Sequence, residues 1–200
     1  MKYPNNINKK YKHEINYKNR GMNLETIINE ACKYYLDNDI AVIYKKPTPI
    51  GVVDVDYKNG AVIKKAYFKE PSTLDYNGLY NGKYIEFDAK ECHNKTSFPL
   101  SNIHNHQISH IKNIINHGGI AFLIISMNNN YYLFKGENLI DFITNEKRKS
   151  IPFSIIDSIG YKLNYNYNIG LDYIKGINIA YKGVENYEKN TKNQIKKEER

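Results

Sequence analysis

The run from Ile120 to Ser126, IAFLIIS, is apolar at every position but the last, and no other stretch limits the fold so tightly. Alternation would mark a strand with one wet face; an unbroken apolar run of this length marks a strand central in a sheet. The stretch YYLF at 131–134 pairs back against it across Asn128-Asn129-Asn130. Upstream, residues 98–119 read as a helix capped near Ser101 or Asn102 and ended by Gly118-Gly119, with Ile103, Gln107, Ile111 and Ile114 on one stripe. Asn23 caps a first helix running to about Asp37, whose Leu24, Ile27, Ile28, Ala31 and Tyr35 share a face. These elements assemble as an α/β fold, a mixed central sheet flanked by helices.

Between the helices, Pro47 and Pro49 punctuate the chain. Two strand-like runs, GVVDVDY and AVIKKAYF, then flank Lys58-Asn59-Gly60, and Asn-Gly in that setting predicts a hairpin. In the second run Val62, Lys64, Ala66 and Phe68 share one face, and Ile63, Lys65 and Tyr67 the other. Lysine occurs on both, so neither is a core face, and residues from about 50 to 70 read as a projecting hairpin. Asn77-Gly78 and Asn81-Gly82 break the chain before the short strand KYIEFDAK at 83–90. Residues 137–143 fit a short helix, 145–180 show no clear pattern, and 181–200 form a charged tail. The single main domain spans 21–180.

The formal net charge of +8 makes a polyanion the first partner to consider. Much of it sits in a basic arm over residues 1–20, where Lys2, Lys9, Lys10, Lys12, Lys18 and Arg20 face Glu14 alone. Cys32 and Cys92 form no CxxC pair, the N-terminus is too polar for a signal peptide, and no apolar run approaches a membrane span. The expectation is a soluble, cytoplasmic protein.

Against that positive charge, Asp75, Glu86, Asp88 and Glu91 crowd one short stretch. Alternate side chains of a strand share a face, so Tyr84, Glu86, Asp88 and Lys90 project together while Ile85, Phe87 and Ala89 project into the core. A carboxylate and an ammonium so placed can meet at one phosphate, the acid binding a divalent cation and the lysine offsetting developing charge. Asp75 is the natural choice for a second ligand, since it lies just before Asn77-Gly78, where the chain is expected to turn back towards Asp88, and two carboxylates forced together are costly until a cation neutralises them. An exposed strand face with an ordinary salt bridge is the plainer alternative. Gln107 interrupts an apolar helix face, and a buried amide needs partners: backbone, a carboxylate or a metal-bound water. The histidines do not make a zinc site, since HQISH lacks the glutamate of HExxH, and neither cysteine lies in a nucleophile motif.

The stretches NRGMNLE at 19–25, YYLDNDIAVIYKKPTP at 34–49, AVIKKAYFKEPSTLDYNG at 61–78, GKYIEFDAKE at 82–91 and KTSFPLSNIHNHQISHI at 95–111 together resemble the RecU-type Holliday junction resolvases of Gram-positive bacteria. The resemblance runs from about Asn19 to Tyr173. It implies the restriction-endonuclease-like PD-(D/E)xK nuclease fold, with the hairpin as a stalk that enters the crossover of a four-way junction. It implies a homodimer performing Mg²⁺-dependent paired nicking in homologous recombination and DNA repair, with Mn²⁺ able to substitute. A recombinase and a branch-migration helicase are the implied protein partners, and no membrane is involved.

Carried over by position, the resemblance implies metal ligation by Thr73, Asp75, Asp88 and Gln107, with Lys90 stabilising the transition state. This strand reads Glu-Phe-Asp where the family pattern has Asp-Phe-Glu, which leaves Glu86 a secondary candidate acting through water. Glu25 is another, although its place at a helix start is equally explained by the helix dipole. Arg20, Lys45, Lys46, Lys64, Lys65 and Lys69 would contact DNA phosphates, with Tyr67 and Phe68 at the junction centre. The alternatives are another nuclease of this fold acting on duplex DNA, or a non-catalytic junction- or RNA-binding protein.

Overall fold

A computed structural model describes residues 23–58, 60–69 and 73–182. The basic arm at 1–20 with Arg20, Asn59 of the hairpin turn, and all but the first two residues of the tail at 181–200 lie outside them. In chain order the first elements are α1 (Leu24–Asp37), β1 (Val42–Lys45), β2 (Ile50–Asp56), β3 (Val62–Phe68), β4 (Tyr76–Tyr80) and β5 (Lys83–Cys92). There follow β6 (Ser97–Pro99), a 3-10 turn at Leu100–Asn102, α2 (Asn105–Asn116), β7 (Ile120–Met127), β8 (Asn130–Lys135) and α3 (Gly136–Asn145). The last are β9 (Ser150–Pro152), α4 (Phe153–Ile159), β10 (Tyr161–Leu163), β11 (Tyr165–Asn166), β12 (Gly170–Leu171) and α5 (Tyr173–Ala180).

Six strands form the main sheet in the order β1-β4-β5-β7-β8-β10. Only β5 and β7 run parallel, joined through α2; the other pairs are antiparallel. The apolar run is β7, and alternate residues feed two separate cores. Phe122 and Ile124 pack with α1 and α5, while Leu123 and Ile125 pack with α2 and α3. All five α1 positions expected to face inward are buried, and the Asn23 side chain accepts from Glu25 N–H at its cap. Among the described residues no helix is long and apolar enough to cross a membrane.

On the α1 side, the rings of Tyr76, Phe87 and Phe122 stack across β4, β5 and β7, with successive centroids 4.8 Å apart. This ladder fixes which face of β5 is apolar. Glu86 and Asp88 must therefore point to the other side, beneath α2.

Two expectations about boundaries are corrected, and one strand was not anticipated. Asn77-Gly78 is not a turn: it lies inside β4, and the chain reverses once, at Asn81-Gly82, where both residues have positive φ (47° and 72°). Gly78 is there because β1 passes so close that a Cβ would lie 2.0 Å from the Val42 carbonyl oxygen. The second helix begins at Asn105, not near 101, because Ser97–Pro99 pairs with β9 and Leu100–Asn102 forms the 3-10 turn. And residues 42–45, which gave no strand signal, form the sheet edge.

The hairpin is a separate two-stranded ribbon of β2 and β3, with register shifts around Val52, Asp54 and Val55. Every β3 side chain is exposed.

Gly78→Ala is expected to destabilise the protein by about 1–3 kcal/mol, the range for overpacking. Urea unfolding should show a lower midpoint with an unchanged slope.

Candidate functional site

The register Tyr76↔Phe87 between β4 and β5 places Asp75, one residue before β4, opposite Asp88. The two acids are thus brought together across a single hairpin. Backbone bonding pins the approach, since Lys46 N–H donates to the Asp75 carbonyl at 2.7 Å.

Asp88 is fully buried. Its Oδ2 accepts from Gln107 Nε2 at 2.5 Å and pairs with Lys90 Nζ at 2.9 Å, while Oδ1 is buried with no hydrogen-bond partner. Gln107 is held in turn. Its Oε1 accepts the His104 backbone N–H at 3.1 Å, closing a capping box at the start of α2, and Lys90 Nζ approaches the same oxygen at 3.4 Å. The amide that interrupts the apolar helix face therefore serves the helix cap with one atom and Asp88 with the other.

Asp75 is half-buried. Burial raises its carboxyl first, and the adjacent Asp88 carboxylate raises it further, to about 6, against the opposing pull of Lys90 and Lys45. Two acids crowded in this way, one with an orphaned buried oxygen, make a site short of positive charge. Among the described residues no three His, Cys, Asp or Glu side chains gather as a metal-binding group. The Gln107 oxygen is already engaged, so the donors open to a cation are carboxylate oxygens of Asp75 and Asp88, a chemistry that fits a hard divalent cation retaining several waters. Thr73 shares with Asp75 the wall of a cleft of about 450 Å³, also lined by Glu25, Lys45, Lys46 and Lys69. Its hydroxyl makes a long 3.4 Å bond to the Leu74 carbonyl.

Glu86 belongs to a different cluster. It is 1% exposed, and its Oε1 accepts from Lys46 Nζ and from Leu74 N–H (3.1 Å), its Oε2 from Tyr84 OH (2.6 Å). His110 Nε2 lies 3.0 Å from Oε1 but off the line of a hydrogen bond. Burial alone would push this carboxyl up; Lys46, Tyr84 and His110 outweigh it and hold it below its ordinary range. With its oxygens so engaged, Glu86 is not gathered with Asp75 and Asp88. Glu25 is partly exposed and ion-paired with Lys45 on the cleft wall.

The lysines expected at DNA divide into two groups. Lys46 is turned inward to Glu86, and Lys45 is paired with Glu25. Lys64 stands on the ribbon beside Asp56 at 2.9 Å, and Lys65 and Lys69 are exposed. The Tyr67 ring covers Gly51, where a Cβ would lie 2.3 Å from it, whereas Phe68 is 81% exposed. Sequence reasoning missed Leu74, Tyr84 and His110. Tyr84 had a signal, since it shares a strand face with Glu86; a backbone N–H at Leu74 had none.

The chain matches the family described as Recombination protein U (RecU) over residues 19–179. It is 48% identical over 172 residues to the Holliday junction resolvase RecU of Bacillus cereus (strain B4264), covering 82% of this chain and 86% of that one. The protein of the same name from Bacillus mycoides (strain KBAB4) is 48% identical, and that from Bacillus anthracis (strain A0248) 49%, over the same shares.

The raised Asp75 carboxyl predicts a pH signature. A carboxyl raised in the folded state favours folding below its ordinary value of 3.8, and that contribution is lost as pH climbs through about 6. In EDTA, Asp75→Asn should therefore melt higher than the unaltered protein at pH 8, with the gap closing towards pH 4. An equal gap at both pH values would show that Asp75 is not crowded by Asp88.

Proposed function

The chain belongs to the Recombination protein U family, and on that premise we propose that it is an endodeoxyribonuclease that resolves four-way DNA junctions during homologous recombination. The observation that carries the assignment of its centre is the Asp88 carboxylate, one oxygen saturated by Gln107 and Lys90 and the other buried and unpartnered beside Asp75. A divalent metal is implied by the family, and the oxygen donors favour Mg²⁺, with Mn²⁺ as a substitute. Asp75 and Asp88 would hold it, with Thr73 and Gln107 at the margin of the same site. Bound there, the cation supplies Lewis-acid polarisation of the scissile phosphate and a more acidic water.

The chain's own residues do the rest. Gln107 fixes the rotamer of Asp88, so the free oxygen presents the same lone pairs at each turnover. Lys90, 18% exposed and 2.9 Å from Asp88, keeps a cation beside the place where negative charge grows on the phosphate. Its ammonium is already desolvated and positioned, so little reorganisation accompanies the reaction. The exposed ribbon of β2 and β3 would enter the junction, with Lys64, Lys65 and Lys69 at phosphates and the open ring of Phe68 at unstacked bases. Tyr67, packed over Gly51, stiffens the ribbon. Phosphate contacts carry little base information, so selection rests on junction shape. A twofold homodimer would present two centres to a nearly twofold substrate and account for paired cuts.

Asp75→Asn and Asp88→Asn should each abolish cleavage of a labelled four-way junction in Mg²⁺ while gel-shift binding survives in EDTA. Persistent Mg²⁺-dependent cutting by both variants would remove the proposed centre. Lys90→Ala should cut about 10²–10³-fold more slowly, the cost of losing one transition-state partner. Deleting residues 52–68 should erase the preference for junction over linear duplex while the remaining sheet still unfolds cooperatively. An undiminished preference would assign the ribbon another task.

A further inference from the structure

The Glu86 cluster is too costly to be packing alone. A carboxylate 1% exposed forfeits several kcal/mol of hydration unless its partners are well placed, and an apolar side chain would fill the same space more cheaply. What the charge does is visible in its partners. Glu86 Oε1 accepts from the N–H of Leu74, the residue immediately before Asp75, and from the ammonium of Lys46, whose own N–H donates to the Asp75 carbonyl. Three bonds therefore close a ring: Lys46 backbone to Asp75, Lys46 side chain to Glu86, Glu86 to Leu74. Asp75 sits inside it, held through its own carbonyl on one side and through the Thr73–Leu74 peptide, one unit further back, on the other. The Leu74 side chain, buried in the core beneath α2, anchors the same turn from below.

We propose that Glu86 is a positioning residue for the metal centre, acting through Leu74 and Lys46 to hold the Asp75 carboxylate against Asp88. It reaches the cation through the backbone of the Thr73–Asp75 segment rather than through a water. Lys46 is then part of this clamp and not a phosphate contact. The division of labour along β5 follows: Asp88 offers its free oxygen to the cation, and Glu86, two residues earlier, spends its oxygens fixing the opposite ligand. This assignment rests on the proposed nuclease centre, and its test is chosen to stand apart from cleavage.

The test is a Mn²⁺ titration of the full chain, with free Mn²⁺ counted by electron paramagnetic resonance in the absence of DNA. Glu86→Ala should bind about ten- to a hundredfold more weakly than the unaltered protein, as the loss of an outer partner does at other metal sites. Glu86→Gln keeps an acceptor for Leu74 and loses the charge facing Lys46, so its loss should be smaller. Lys46→Met, which keeps the apolar stem, should match Glu86→Gln. In cleavage assays the Mg²⁺ concentration for half-maximal rate should rise in the same order while the junction Kd in EDTA stays fixed. A merely destabilised protein would lose active fraction equally at every Mg²⁺ concentration and leave that midpoint unmoved; that result overturns the proposal. Should Glu86→Ala fail to fold, Glu86→Gln and Lys46→Met decide it, and Mn²⁺ affinities equal to the unaltered protein's overturn it. An unaltered chain that binds no Mn²⁺ does so too. One that binds Mn²⁺ without cutting junctions removes the proposed reaction and leaves the clamp to be judged by the titration.

Discussion

The stacked rings of Tyr76, Phe87 and Phe122 fix one face of the central strand pair, and the placement of every acid in the centre depends on that. With Phe87 locked between β4 and β7, β5 cannot slip by a residue without throwing its apolar set to the wrong side. Asp88 and Glu86 are thereby committed to the face beneath α2, among Leu123, Ile125, Ile111 and Ile114. The same registration brings Asp75 opposite Asp88. Hydrophobic packing on one side of a sheet thus forces charge into the interior on the other.

Two carboxylates buried two residues apart on one strand would be hard to sustain without distinct solutions for each. Glu86 is satisfied by the protein: an ammonium, a phenol and a backbone amide meet its oxygens. Asp88 is satisfied on one oxygen only. Low dielectric sharpens that contrast, because an unmet acceptor in the interior costs more than one at the surface. The folded chain therefore carries a local deficit beside Asp75 that the proposed divalent cation would remove, and folding energy from the rest of the sheet offsets it.

Much of this was legible in residues. The unbroken run at 120–126 gave the central strand, the Asn-Gly pair gave the ribbon, and alternation through Glu86, Asp88 and Lys90 gave the acid-bearing face. Gln107 stood out as one amide on an apolar stripe. The route by which Asp75 reaches Asp88 was misread, because Asn77-Gly78 has turn chemistry and nothing local reveals that β1 needs its missing Cβ. Residues 42–45 escaped notice since a four-residue edge strand holds barely two repeats of its period. Residues 145–180 resisted for the same reason, being built of two- and three-residue strands and short helices. The charged partners of Lys45 and Lys46 were invisible too: counting lysines says nothing about which ones are already spoken for by carboxylates.

The ribbon and the centre share their foundations. β1 ends at Lys45, and the chain continues through Lys46 to Pro47 and Pro49, whose fixed φ stiffens the path into β2. The returning strand closes on that path where Lys69 N–H donates to the Pro49 carbonyl at 2.9 Å. Lys46 N–H then bonds the Asp75 carbonyl, so the outgoing root of the ribbon touches directly the aspartate proposed to hold the metal. Lys45, Lys46, Lys69, Thr73 and Asp75 line one cleft. If the ribbon enters a four-way junction as proposed, a load on it would reach the chain within a few residues of Asp75 on the β1 side. On that proposal, junction geometry and ligand geometry would share the same few backbone bonds, and a site reading few bases would still depend on the shape of what it cuts.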